Sequence, residues 1–142
     1  MMPPDQVEEV DDFAAFGVRA FTTTRAMGSF STASNEPVRE VMGRWDAVRA
    51  AALDRGVRRL ATASQVHGDR LLVHAAGWEG WLRGTQADGH VSPHRGTAMA
   101  VTVGLGDVDV GVIAAVVAPL DTDDVIDAGV TVTGDEPVLA LR

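Results

Sequence analysis

Side chains able to do proton, metal or anion chemistry are few in this sequence and widely spaced. Four histidines are available: His67, His74, His90 and His94. Imidazole is both a metal ligand and an acid or base near neutral pH. Gln65-Val66-His67-Gly68 sets one imidazole at the end of a strand-like run, beside a glycine that lets the chain turn sharply. Rigid scaffolds present reactive groups in such places, and a hydrogen-bonded turn histidine is the competing reading. His90 and His94 stand four apart and would form a chelating pair on a helix. Pro93 and Gly96 argue against a helix there, so that spacing carries no chemistry. Asp88, beside His90, is placed either to orient an imidazole or a substrate hydroxyl, or simply to make a turn. Arg25 closes one strand-like run and opens a Ser/Gly loop. That suits an anion held with backbone amides nearby, and equally a surface arginine. Gly104-Leu105-Gly106 begins like a dinucleotide loop, but the third glycine is missing and an apolar run follows where a helix is required. Asp121, Asp123, Asp124 and Asp127 lack the glycine and terminal glutamate of an EF-hand and read as a solvated turn.

Composition narrows these options. The chain has 142 residues, the size of one compact domain, and 46% of them are apolar. With no cysteine, disulfides, zinc ribbons, iron–sulfur clusters and thiolate nucleophiles are all excluded. All 12 basic residues are arginine, so lysine Schiff bases and a P-loop lysine are excluded as well. A net charge of −8 repels nucleic acid and anionic membranes. The one basic cluster, Arg55, Arg58 and Arg59, is too small for a phosphate track. The start, Met1-Met2-Pro3-Pro4-Asp5, shows neither the basic nor the apolar part of a signal peptide, and a cytoplasmic location is expected. With four Phe, three Trp and no Tyr, the expected core is mostly Val, Ala and Leu.

The elements that would position these groups follow from periodicity. Residues 1–12 read as a frayed acidic lead-in. Residues 18–24 alternate and are rich in branched side chains, as in a strand. Asn35 is the expected N-cap and Pro37 fits a first turn. Val38, Val41, Met42, Trp45, Val48, Ala52 and Leu53 then make one helical stripe, with Glu40 and Arg44 paired on its flank. Gly56 supplies the stop. Residues 60–66 and 71–75 read as strands joined through His67-Gly68-Asp69. Residues 76–86, with three glycines and two tryptophans, read as an irregular loop. Further strands are expected at 98–103, 110–118, 129–133 and 138–141. The fold class is α/β, a mixed β-sheet with packed helices in a single domain.

Several of these pieces occur together and in order. Thr23-Thr24-Arg25 followed by Gly28-Ser29, the helix carrying residues 41–44, Gln65-Val66-His67-Gly68, Ala87-Asp88 and the strand at 98–103 together resemble the laccase-domain family. Its members are the YfiH-type purine nucleoside phosphorylases, also known as multicopper polyphenol oxidoreductases. The resemblance covers roughly residues 18–103. It implies an α/β protein that phosphorolyses adenosine, inosine and related nucleosides, with adenosine deaminase side activity. It also implies a zinc or copper ion held by two histidines and a cysteine. On this resemblance His67 is a metal ligand, while Arg25, Arg44 and Asp88 serve the nucleoside and phosphate.

The family's cysteine follows the strand matching residues 98–103, where this chain reads Gly104-Leu105-Gly106-Asp107. Its second histidine belongs to a later His-Ala-Gly-Trp motif, and no histidine follows His94. His74-Ala75-Ala76-Gly77-Trp78 imitates that motif with one residue too many and in the wrong order. One ligand of three is thus carried, and residues 104–142 form a divergent or truncated ending. Asp107 in place of the cysteine would favour a harder metal. The expectation is a nucleoside enzyme with an impaired centre. The alternative is a non-catalytic remnant, or an assembly module whose strand at 110–118 adds to a partner's sheet.

Overall fold

The computed structural model describes residues 2–32, 35–105, 108–117, 128–133 and 136–141, with side chains described through residue 102. Among these residues the strands are β1 (Val7–Val10), β2 (Arg19–Thr23), β3 (Arg59–Ala63), β4 (Leu71–Val73), β5 (Gly80–Gly84), β6 (Gly89–Ser92), β7 (Thr97–Leu105), β8 (Val108–Val117), β9 (Ala128–Thr133) and β10 (Glu136–Leu141). The α-helix, α1, spans Val38–Leu53. One sheet runs β1-β2-β8-β7-β3-β5 and a second runs β10-β9-β6-β4. β7, β3 and β5 are mutually parallel, as are β4 and β6, and the other pairings are antiparallel. The architecture is a mixed α/β one, with one α-helix and two 3₁₀ turns among the described residues.

The helix covers one face of the first sheet. Val41, Trp45, Val48 and Ala52 fall on one stripe and pack with Phe21, Phe30, Leu60, Ala98 and Ala100. Burying a Val- or Leu-sized side chain is worth roughly 1.5–3 kcal/mol, and this stripe supplies the helix's stability. Val38 and Leu53, the ends of the expected stripe, stay more than half exposed. The expected N-cap is also displaced. Pro37 takes the cap position with no side-chain cap, because its extended backbone ends the loop there. Gly56, at φ 76°, ends the helix as expected, with Gly56 N–H bonded to Leu53 O and Val57 N–H to Ala52 O. The core is not purely aliphatic: Trp45 donates Nε1–H to Phe30 O at 3.1 Å and meets the Phe30 ring edge-on at 5.0 Å.

The second sheet covers the other face. Alternation along β7 sends Ala98 and Ala100 toward the helix and Thr97, Met99 and Val101 away from it. By the same alternation Arg59 points away from the helix side occupied by Leu60. Its guanidinium is buried against Thr97 Oγ1 (2.9 Å) and Arg95 O (2.6 Å).

Three expected elements turn out differently. Residues 7–10 are not frayed: β1 pairs with β2 from Val7 opposite Thr23 to Val10 opposite Ala20, and Glu9 forms an ion pair with Arg19. A strand partner rescues an acidic run that propensity alone would leave open. Residues 80–84 are not an irregular loop: β5 lies parallel to β3, with Leu60 opposite Trp81. The glycines that suggested a loop bound a short edge strand. Finally, the strand expected at 60–66 is shorter, and the runs on either side of His67 fall in different sheets. The first ends at Ala63 in one sheet and the second, β4, belongs to the other, so residues 64–70 cross between sheets.

The run expected at 110–118 is β8, paired on both sides by β2 and β7. Over residues 114–117 both of its edges are paired, so that part of the strand has no free ladder to offer a partner's sheet. Gly106, Asp107, Ala118 and the acidic positions Asp121, Asp123, Asp124 and Asp127 lie outside the described residues.

Candidate functional site

The crossover at residues 64–70 is held by two side chains. Gln65 turns its amide onto the backbone of β7: Nε2 donates to Thr102 O at 2.8 Å and Oε1 accepts from Thr102 N–H at 2.8 Å. Its Oε1 also accepts from the Thr102 hydroxyl. The amide therefore acts as an extra rung of the ladder. Asp88, buried just before β6, accepts from the backbone N–H groups of Val66 (3.0 Å), His67 (3.0 Å) and Gly68 (2.7 Å). Burial pushes the Asp88 carboxyl up, but the amides of Gly68, His67 and Val66, with the His67 imidazole, outweigh it and hold the carboxyl below the usual range.

These bonds account for the His67 backbone. Its φ is 58°, a left-handed conformation uncommon outside glycine. Three amides converging on one carboxylate keep it there while the imidazole stays exposed. The expected substrate contact Asp88 is thus joined to the expected ligand His67, but its oxygens face the loop backbone. Its role is to position the loop.

Beside this loop lies a cleft of about 500 Å³. It opens where parallel β3, β5 and β7 approach their carboxyl ends, beneath α1. Trp45, Trp81, Phe30 and Met42 give it an aromatic and apolar floor. Ser31, Thr32, Thr62, Ser64, Gln65 and Arg83 supply its polar groups. Trp81 is fixed by donating Nε1–H to Thr62 Oγ1 at 2.8 Å and by leaning on Trp45, with ring centroids 5.3 Å apart.

Arg25 and Arg44 do not line this cleft. Arg25 is exposed in a 3₁₀ turn after β2. Arg44 forms an ion pair with Glu36, not the expected Glu40, and donates to Ser29 O at 2.8 Å. It anchors the loop that brings Phe30, Ser31 and Thr32 to the cleft.

The site that sequence reasoning missed is a buried histidine pair. His74 Nε2 and His90 Nδ1 lie 2.8 Å apart, with rings 5.1 Å between centroids. Both are almost wholly buried, His74 at 4% and His90 at 1% exposure. Burial lowers the pKa of His74; burial and then the neighbouring His74 lower that of His90, to about 4. Parallel pairing of β4 with β6 creates the contact, since Leu72 stands opposite His90 and His74 N–H bonds to Val91 O at 2.9 Å. Only that pairing could have signalled it. His94 is exposed beyond the end of β6.

A zinc or copper centre of the expected kind does not fit this donor set. The chain has no cysteine and no histidine after His94. Among the described residues, no three His, Asp or Glu side chains converge as a ligand group. Among the described residues, too, no helix is long and apolar enough to cross a membrane.

No protein-family model matches the chain, and no curated protein sequence matches it.

Proposed function

We propose that the chain is a laccase-domain-type protein that binds a purine nucleoside in the aromatic cleft but does not carry out the metal-dependent phosphorolysis of that family. The observation that carries this reading is the position of Gln65. The first residue of the Gln-Val-His-Gly motif lies in the wall of this cleft, which opens at the carboxyl ends of parallel strands. Ligands of α/β proteins bind outside such strand ends, and apolar clefts of this size with a few fixed polar groups suit small organic molecules. A planar base would lie against Trp81 and Trp45, where stacking is worth about 1–3 kcal/mol per base. The hydroxyls of Ser31, Thr32 and Ser64 are suited to a sugar.

Turnover is another matter. The family's chemistry needs a cation held by a full ligand set, and this chain offers one exposed imidazole in that role. A lone donor gives weak and labile binding. The residues of this chain therefore bind and orient, and Asp88 and Gln65 keep the loop in shape.

Titration calorimetry with adenosine and inosine, alongside chromatographic detection of free base in the presence of phosphate, tests both halves. Saturable binding and base release no greater than in protein-free buffer are expected. Absence of binding would remove the ligand reading. Base release abolished by His67→Ala would remove the claim that turnover is lost.

A further inference from the structure

Charge within the cleft takes the proposed function a step further. The chain as a whole carries a net charge of −8. Among the described residues, those lining the cleft nevertheless include no carboxylate, and their one formal charge is the Arg83 guanidinium. Arg83 is exposed, and among the described residues it has neither an ion pair nor a hydrogen bond. In an acidic protein, a wall with one uncommitted cation and no acid is the place where an anion meets least repulsion.

Geometry ties that cation to the aromatic floor. Trp81 and Arg83 are two apart on β5 and so project from the same face. Their Cα atoms are separated by roughly 6.5–7 Å along the strand. Trp81 reaches over β3 to Thr62, which stands opposite Arg83 in the register. A ring stacked on Trp81 thus has the guanidinium about one sugar away, with the Ser64 hydroxyl at the adjoining end of β3. Guanidinium is the side chain best matched to the paired oxygens of a phosphate.

We infer that the preferred occupant of this cleft is a purine nucleoside 5′-monophosphate, with its ring on Trp81 and its phosphate on Arg83. This rests on the reading of the cleft as a nucleoside site and adds the anion to it. The same chemistry could come from a nucleoside and a separate inorganic phosphate, so the test must distinguish the two sources.

The experiment is calorimetry on the full chain with AMP, adenosine, adenosine plus inorganic phosphate, and ribose 5-phosphate. Each titration is repeated with Arg83→Gln, after circular dichroism and thermal melting show that variant to be folded. AMP is expected to bind at least tenfold more tightly than adenosine. Arg83→Gln should abolish that difference while leaving adenosine affinity within about twofold. Equal affinity for AMP and adenosine, or an AMP preference that survives Arg83→Gln, would overturn the inference and leave the nucleoside reading standing. It would also fall if free phosphate tightened adenosine to the AMP level, or if ribose 5-phosphate bound as well as AMP. If neither adenosine nor AMP bound, the nucleoside reading itself would fail.

Discussion

His74 and His90 share a single proton across 2.8 Å inside the protein, with no carboxylate among the described residues bonded to either ring. One imidazole donates and the other accepts, and burial disfavours adding charge to either ring. Protonating both rings would set two N–H groups against each other and place two like charges side by side in the interior.

Stability should therefore fall in mild acid. An unfolded histidine takes up its proton near pH 6.5, whereas folded His90 resists until about 4. Between these values the unfolded state binds more protons, so stability declines as pH drops from about 6.5 through about 4 and is level above that window. The His90 shift corresponds to a loss on the order of 3 kcal/mol. Urea denaturation at a series of pH values measures it. Replacing both partners, His74→Phe with His90→Leu, should flatten the decline. An unchanged slope would show that the pair is not its source.

Asp88→Asn tests the loop. An asparagine amide offers one acceptor oxygen and an NH₂ that faces amide donors, in place of a carboxylate receiving three N–H bonds. Water can reach residues 66–68, which are exposed, so the expected cost is about 1–3 kcal/mol. His67 should also leave its left-handed conformation, which the chemical shifts of His67 and Gly68 would report. Wild-type stability with unchanged shifts would remove Asp88 from this role.

How much of this was legible beforehand depends on how local the cause is. Helix α1 could be read because the Val41, Trp45, Val48 and Ala52 spacing and the Gly56 stop are written in one stretch of chain. β1 and β5 could not, since each exists through a partner strand 10–21 residues away, and neither has a pattern of its own. The site divides in the same way. Gln-Val-His-Gly names residues of the crossover between the two sheets. That Asp88 serves its backbone, and that Arg44 serves Glu36 and Ser29, follows from long-range packing that no spacing encodes. His74 and His90 lie 16 residues apart and meet only because their strands run parallel.

Gly28→Ala tests the loop that carries Phe30 to the cleft. Gly28 has φ 95°, and a Cβ there would lie 2.7 Å from the Arg44 guanidinium carbon. Strain from the backbone and displacement of Arg44 act together, with about 1–3 kcal/mol of destabilisation expected. Because Arg44 also bonds Ser29 O, the loop should shift and nucleoside binding should weaken with stability. A variant as stable as wild type would show that the loop and Arg44 adapt freely.

Gln65→Glu separates shape from hydrogen bonding at the cleft wall. The two side chains are nearly the same size, but Gln65 needs both halves of its amide: Nε2–H for Thr102 O and Oε1 for Thr102 N–H. A carboxylate can accept from the Thr102 amide and hydroxyl, yet at neutral pH it has no proton for the Thr102 carbonyl and sets two oxygens against each other. Destabilisation of about 1–3 kcal/mol at pH 7 is expected, easing as the pH falls toward 4 and the carboxyl gains a proton to donate. In that range the variant should recover relative to wild type, with the histidine-pair decline common to both. Denaturation of both proteins at pH 7 and pH 4.5 measures the difference. A gap that is the same at both pH values would mean that the Gln65 amide proton is not what joins the motif to β7.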